Sequence, residues 1–256
     1  MINKHIDFNS DLAQGFGIYK NDNEFEIMDY VSSVNISCGF HSGDPITIRN
    51  TILKCTEKNV AIGAHIGFQD LQGFGYRPIE LDEEEVEAIV IYQLGALACF
   101  AKTYGLSIEH VRPHGAMYKM AAENYEFSLA IAKAIKKFDK WLVYYGAANE
   151  TLEKVSEETG IVIAREIFAD KSYLADGSID WESKEPVSSD VSLNRIRTIL
   201  HSSQMKVNNN NFISVNCDTI HFSSKTLETI ELAKKARELT IPSPVNFNKV
   251  ESAGWS

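Results

Sequence analysis

The chain has 256 residues, a formal net charge of -10 at pH 7 and 44% hydrophobic residues. A chain of this length buries roughly three quarters of its unfolded surface, so it needs neither a disulfide framework nor a structural metal to fold. The acidic charge, with no cluster of Lys and Arg, argues against nucleic acid or an anionic membrane as a partner.

Short β-type runs alternate with longer helical patterns along the chain. The predicted strands are 5–9, 31–37, 60–65, 109–113, 141–145, 161–166 and 212–216. The predicted helices are 45–58, 82–104, 122–138, 149–159, 190–206 and 224–239. Such alternation requires parallel pairing with right-handed crossovers, in either a closed barrel or an open, doubly wound sheet. We predict one domain over residues 1–256, with a loosely held tail from about residue 241.

Polar side chains share one face of the first predicted strand. In HIDFNSD, Asp7, Asn9 and Asp11 occupy alternate positions, so an extended chain projects all three to one side. Burying three polar groups together is costly unless they serve a ligand. The segment NISCGFHSGDP then places His41 and Asp44 after the second strand. This segment is either one wall of an active site or an ordinary helix start with Asp44 as its cap.

Polar clusters also follow the later predicted strands. They are His65, Asp70 and Arg77; Arg112, His114 and Tyr118; Glu166, Asp170 and Lys171; and Asn216, Asp218 and Thr219. The carboxyl ends of parallel strands form the face on which α/β proteins build their active sites. The sequence therefore predicts one pocket that combines histidines with carboxylates. Taken singly, strand-end histidines often only bond backbone carbonyls, and Asp170 and Asp218 are of a type common in loops and caps.

The composition of this pocket also suits a metal ion. One aspartate with two or three histidines at barrel strand ends is a donor set that binds zinc or a similar divalent ion. A metal-dependent amide hydrolase or deacetylase is therefore one alternative, with His41, His65 and His114 as the candidate ligands.

Cysteine spacing and the first residues bear on the compartment. The four cysteines contain no C-x-x-C pair, which fits a reducing cytoplasm. The segment MINKHIDFNSD lacks an apolar signal region, and no stretch approaches the ~20 apolar residues that span a bilayer. We expect a soluble, cytoplasmic protein with no membrane partner.

Five segments together resemble the LamB/YcsF family: DFNSDLAQGFG, NISCGFHSGDP, GAHIGFQDLQGFGYR, HVRPHGAMY and EIFADKSY. The resemblance implies a seven-stranded parallel β/α barrel, a distorted TIM barrel similar to the glycoside hydrolase/deacetylase superfamily. It also implies a share in the ATP-dependent opening of 5-oxoproline (pyroglutamate) to L-glutamate, with 5-oxoprolinase subunits B and C as partners. ATP would be a co-substrate, bound by this chain or through those subunits.

Opening a lactam requires delivery of water, stabilisation of an oxyanion and protonation of the leaving nitrogen. The catalytic candidates are Asp7, Asn9, Asp11, His41, Asp44, His65, His114 and Glu166. Among them, Asp11 or Asp7 would be the general base, and the histidines would donate protons and stabilise the oxyanion. The candidates for substrate binding are Arg77, Arg112, Tyr118, Asp170 and Asp218. One of the two arginines would hold the substrate carboxylate.

The chain departs from the family pattern at four places. Gln14 stands where the family usually has glutamate, and Tyr76 where it has the first of two arginines. Near the predicted seventh strand the usual His-Gly-Asp is replaced by the triplet that begins at Asn216, and an expected arginine is replaced around Trp181. An amide cannot act as a base, and fewer cations bind an anion less well. A diverged, non-catalytic binding paralogue is therefore a further alternative.

Overall fold

The computed structural model describes residues 4–19, 23–183, 187–208, 211–240 and 245–251. Within these ranges the strands are β1 (Lys4–Leu12), β2 (Ser33–Ser37), β3 (Ala61–Ile66), β4 (Ile108–Pro113), β5 (Val143–Ala147), β6 (Ile163–Phe168), β7 (Gln204–Lys206), β8 (Phe212–Ser214), β9 (Thr219–His221) and β10 (Val245–Phe247). Strands β1 to β6 pair in parallel in chain order, and β9 pairs with both β6 and β1. The sheet is closed, so the predicted seven-stranded parallel β/α barrel is confirmed.

Helices follow most barrel strands and cover the outside of the barrel. They are α1 (Pro45–Lys58), α2 (Glu83–Thr103), α3 (Gly115–Glu123), α4 (Tyr125–Phe138), α5 (Glu150–Thr159), α6 (Ser189–Ser202) and α7 (Leu227–Thr240), with a short 3-10 helix at Glu26–Asp29. The helix predicted at 122–138 corresponds to α4, and α3 was not predicted. Asn124 has an extended backbone and its side chain caps α4 at Phe127 N, so α3 ends there.

The predicted seventh strand is wrong. Within 212–216, only Phe212–Ser214 is a strand, β8, and it pairs antiparallel with β7 outside the barrel. The seventh barrel strand is β9, Thr219–His221, all of whose residues are buried. The run FISVN has the alternation of a half-exposed strand, whereas β9 is too short to show a period.

The tail predicted from about residue 241 is described only over residues 245–251. There, Val245–Phe247 pairs in parallel with Lys4–Ile6 of β1. The ring of Phe247 lies 5.2 Å from that of Phe8, and the Arg237 guanidinium lies 3.8 Å from the Phe247 ring centroid. Residues 245–247 are therefore held against the barrel, which differs from the loose tail expected. The remainder, 241–244 and 252–256, lies outside the described residues.

Helix α2 has the length and apolar content of a membrane span, against the expectation that no segment would. Its position gives another reason for that composition. Val86, Val90, Leu94 and Leu97 are buried, and the helix packs against α4, β3 and β4. These are the properties of a helix that covers a barrel.

Alternation along β1 separates the core from the site. Asp7, Asn9 and Asp11 bond to residues across the barrel, so they point inward. Ile6 and Phe8, which alternate with them, are fully buried on the outward face under the surrounding elements. The apolar core thus lies outside the strands, and the barrel interior is left to polar groups.

Candidate active site

The deepest part of the interior holds Asp7. Its carboxylate accepts hydrogen bonds from the hydroxyls of Ser33 (2.9 Å), Thr219 (2.5 Å) and Tyr145 (3.2 Å). Burial raises the pKa of Asp7 to about 6, although these hydroxyl groups oppose the shift. Asp7 does not line the cavity described below. The structure thus places one of the two predicted general bases in the interior beneath the site.

An amide and imidazole layer lies above Asp7. Asn35 Nδ2 donates to Asn9 Oδ1 at 2.8 Å, and Asn9 Nδ2 donates to Glu166 Oε1 at 2.9 Å. His110 Nε2 lies 2.7 Å from Asn35 Oδ1. The His110 ring fits because position 63 is glycine: a Cβ on Gly63 would lie 2.2 Å from it. Burial lowers the pKa of His110 to about 3, so the ring is neutral.

Asp11 is the hub of the uppermost layer. Its carboxylate lies 3.1 Å from Arg112 Nη1, 3.2 Å from His65 Nε2 and 3.1 Å from His221 Nε2. Asn35 Nδ2 also donates to it at 2.9 Å. Burial alone would raise the pKa of Asp11, but the Arg112 guanidinium and the two imidazoles hold it well below its usual value. Asp11 is therefore ionised.

Arg112 is buried between two carboxylates. Its Nε donates to Glu166 at 2.8 and 3.0 Å, while Nη1 donates to Asp11. The guanidinium carbon lies 4.9 Å from the Tyr118 ring centroid and 5.3 Å from that of Phe168. Burial by itself would lower the pKa of Arg112. The two carboxylates outweigh this effect and hold the pKa above its usual value. The charge of Arg112 is thus neutralised inside the protein.

The three histidines predicted to converge do lie together. His65 Nε2 is 3.0 Å from His114 Nδ1, and the rings of His41 and His114 stack with centroids 4.0 Å apart. The outer nitrogens contact backbone carbonyls: His65 Nδ1 that of Arg112 at 3.1 Å, and His114 Nε2 that of Phe74 at 2.7 Å. Burial, with the neighbouring rings, lowers the pKa of His114 to about 3 and that of His41 well below its usual value.

A cavity of about 690 Å³ opens above this layer, at the carboxyl ends of the strands. The predicted residues that line it are Asp11, Arg112, His114, Tyr118 and Asp170. Three positions at which the chain departs from the family pattern, Gln14, Tyr76 and Trp181, line it as well. The departures therefore change the wall that a ligand would touch.

Asp44 lies elsewhere, half-buried at the start of α1. Its side chain caps α1 by accepting from Ile46 N at 2.8 Å and Thr47 N at 2.9 Å, and it also accepts from Gly17 N at 2.8 Å. It does not line the cavity at the strand ends. Asp44 is therefore the cap of α1, the second of the two interpretations of this segment, and Pro45 begins the helix directly after it.

Replacing this cap provides a stability test that is separate from the site. Asp44→Ala is expected to lower the free energy of unfolding by about 1 kcal/mol, because two helix N–H groups lose their acceptor. Urea unfolding measures this loss, and Asp44→Ser is the control that keeps an acceptor. Any turnover at the candidate active site should be unchanged in both variants. A folded Asp44→Ala protein with a tenfold loss of turnover would place Asp44 in the catalytic machinery after all.

Two predicted substrate-binding residues also lie away from the cavity. Asp218 directly precedes β9, at the opposite end of the barrel, where it pairs with Arg165 Nη1 at 2.8 Å. Arg77 pairs with Asp70, and 64% of its side chain is exposed. Neither lines the cavity, since each is held by an ion pair formed outside it.

His221 is the site residue that the sequence reasoning missed. It ends β9, reaches Asp11 and lines the cavity. The sequence offered one signal: Thr219 and His221 stand at alternate positions, as on one face of a strand. Placing the seventh strand at 212–216 leaves these two residues in a loop, so the signal was not used. Ser223 to Lys225 follow β9 and line the cavity too. The departure assigned to the triplet at Asn216 is therefore misplaced, because Asn216 precedes the seventh barrel strand.

A parallel β/α barrel with a polar cavity at the carboxyl ends of its strands is the architecture of a barrel enzyme. Residues 6–253 match the LamB/YcsF family, and the chain belongs to this family. It is 38% identical over 245 residues to the 5-oxoprolinase A subunit of Tolumonas auensis, covering 94% of this chain and 98% of that protein.

Two further relatives agree. The 5-oxoprolinase A subunit of Bacillus subtilis is 39% identical over 236 residues, covering 91% of this chain and 92% of its own length. The crystal structure of the lactam utilization protein from Thermus thermophilus superposes with a TM-score of 0.87 at 32% identity, covering 95% of this chain and 99% of that one. The resemblance noted from the motifs is confirmed.

Proposed function

We propose that this chain opens the lactam of 5-oxoproline to L-glutamate, in an ATP-dependent reaction with subunits B and C of a 5-oxoprolinase. The names of its relatives, 5-oxoprolinase A subunit and lactam utilization protein, support the substrate class and the assembly. The observation that carries the proposal is the cavity at the strand ends, where Asp11, His114 and His221 line the same space as Lys171 and Lys225.

His221 is the group best placed to accept a proton from water. Its Nε2 lies 3.1 Å from Asp11, which orients the ring. Its Nδ1 is buried and has no hydrogen-bond partner among the residues described. His114, by contrast, is engaged at both ring nitrogens. His221 would take the proton as water adds to the lactam carbon, and return it to the nitrogen as the ring C–N bond breaks.

The rim supplies cations for the substrate carboxylate. Arg112 is neutralised and Arg77 lies outside, so neither predicted clamp is available. Lys171 and Lys225 line the cavity, and neither has a carboxylate within ion-pair distance in the described part of the chain. Lys225 Nζ also lies 5.0 Å from the Phe74 ring centroid, which limits its range of positions. We assign the carboxylate to these two lysines.

Replacing Lys225 tests the rim. Lys225→Gln is expected to raise KM for 5-oxoproline about tenfold with little change in kcat, because the carboxylate is bound equally in the ground and transition states. Calorimetric affinity for 2-pyrrolidinone, a lactam without a carboxylate, should not change. Lys235→Gln, at an exposed lysine of α7, is the matched control. Equal loss of affinity for both lactams would refute a carboxylate contact.

ATP is assigned to the assembly rather than to this chain. The sequence contains neither a P-loop nor a G-x-G-x-x-G signature. A lactam is a poor electrophile, and transfer of the terminal phosphoryl group of ATP to its oxygen, with release of ADP, gives water an activated carbon to attack. Cleavage of the C–N bond then leaves an acyl phosphate, and a second water releases inorganic phosphate and L-glutamate. We therefore propose that subunits B and C provide the nucleotide site.

Co-purification tests the proposed function directly. The tagged full chain would be recovered from its native cell with its partners and incubated with 5-oxoproline. We expect glutamate release that requires ATP. Captured partners that release no glutamate would refute the proposal. Calorimetric binding of 5-oxoproline without turnover would instead support a non-catalytic paralogue.

A further inference from the structure

The histidine cluster brings hydrogen-bond acceptors face to face. His65 Nδ1 contacts the Arg112 carbonyl at 3.1 Å, so this nitrogen carries the ring proton. His114 Nε2 contacts the Phe74 carbonyl at 2.7 Å, so it carries the proton of that ring. In these tautomers His65 Nε2 and His114 Nδ1 carry no proton, and they lie 3.0 Å apart. Asp11 Oδ2 lies 3.2 Å from the first of them.

Three lone pairs at this separation repel one another unless a positive species lies between them. A single proton on His65 Nε2 could form a good hydrogen bond with either His114 Nδ1 or Asp11 Oδ2, but not with both. His41 does not share this position: its ring lies nearly parallel to that of His114, with centroids 4.0 Å apart, so its in-plane nitrogen lone pairs do not point at an ion in the plane of the His114 ring.

The charges buried beside the histidines also favour a positive species at this position. Two carboxylates, Asp11 and Glu166, surround the single guanidinium of Arg112. All three groups are at most 9% exposed. The excess negative charge in this interior favours a bound cation.

The dimensions suit a small transition-metal ion. Ligands at zinc bond lengths of ~2.0–2.1 Å in a tetrahedron lie roughly 3.4 Å apart. The separations of 3.0 Å between the two imidazoles and 3.2 Å to the carboxylate are close to that value. One nitrogen from each of His41, His65 and His114 lies within 4.8 Å of the others. The contacts of His65 and His114 with backbone carbonyls are those that orient metal-binding histidines.

We infer that Asp11, His65 and His114 bind one divalent ion of the zinc type. Imidazole and carboxylate donors favour Zn²⁺ or Co²⁺ over Mg²⁺ or Ca²⁺. Because Asp11 and His114 line the cavity, the ion would act there as a Lewis acid toward a carbonyl oxygen. The inference adds Asp11 to two of the histidines singled out in the sequence, and it does not depend on the proposed lactam substrate.

Metal retention tests this site without any activity assay. The full chain, purified without chelator or histidine tag, would be equilibrated with Zn²⁺ or Co²⁺ and desalted. We expect elemental analysis to find about one ion per chain, and the Co²⁺ form to show the visible absorption of a tetrahedral site. His65→Ala and His114→Ala should lose the ion. His201→Ala, at an exposed histidine at the end of α6, should retain it.

Asp11→Asn guards against misfolding of the alanine variants, because it preserves the shape of the side chain. It should weaken Zn²⁺ binding at least tenfold while the protein still unfolds cooperatively. Substoichiometric metal in the wild-type chain would overturn the inference and leave a proton shared by His65, His114 and Asp11. Equal retention by the wild type, His65→Ala and His114→Ala would overturn it as well.

Discussion

His221→Ala is expected to lower kcat for glutamate formation by about 10²–10⁴-fold, the usual contribution of a general acid and base. The reason is positional: His221 lines the cavity, and Asp11 holds its Nε2 at 3.1 Å. KM for 5-oxoproline should change little, because the rim that binds the carboxylate is intact. Steady-state kinetics of the complex assembled with wild-type partners would measure both constants.

His201→Ala is the control for His221→Ala, since it removes an exposed imidazole that does not line the cavity. His65→Ala and His114→Ala should also abolish ring opening, because they disrupt the groups that position Asp11. Near-normal turnover in a folded His221→Ala complex would remove His221 from the chemistry. Near-normal turnover in His65→Ala and His114→Ala would show that the histidine cluster has no part in the reaction.

Arg112→Met should have the largest effect on stability. Arg112 is the only arginine or lysine that contacts the buried carboxylates of Asp11 and Glu166 in the described interior. Removing it leaves buried charges without a partner, which costs about 3–5 kcal/mol. Urea unfolding of the full chain would measure the loss as a lower midpoint at similar slope.

Arg77→Met is the matched comparison for Arg112→Met. It removes the same type of side chain from an ion pair in which the arginine is 64% exposed, so water can replace the partner. The urea midpoint of Arg77→Met should stay close to that of the wild type. Equal shifts of the urea midpoint in Arg77→Met and Arg112→Met would show that the buried ion pairs contribute no more to stability than the exposed one. Adding Glu166→Gln to Arg112→Met should recover part of the loss, because one unpaired charge disappears.

The barrel could be predicted because its repeating unit is local. Strand and helix alternation, the apolar pattern of α2 and the polar face of β1 are all present in short windows of sequence. The choice of a closed barrel came from the family resemblance, since periodicity does not specify how the edge strands pair. Strand β9 was not predictable: three residues carry no period, and the neighbouring FISVN run is a better strand by composition.

The site residues that lie at strand ends could be predicted from the sequence. The state of the arginines could not, because it depends on which carboxylates they pair with in the folded protein. Asp11, His65 and His114 follow from their strands alone. That the charge of Arg112 is neutralised and Arg77 is turned outward depends on partners brought in by folding, Glu166 and Asp70. Lys225 could not be placed, because its position at the cavity follows from the register of β9.

A crystal structure of the chain with 5-oxoproline would test the barrel-mouth pocket most directly. The predicted result is a lactam ring above Asp11, with its carbonyl carbon facing His221 across one water and its carboxylate against Lys171 and Lys225. Ligand density at another surface, or histidines 41, 65 and 114 facing opposite ends of the barrel, would contradict a shared catalytic pocket.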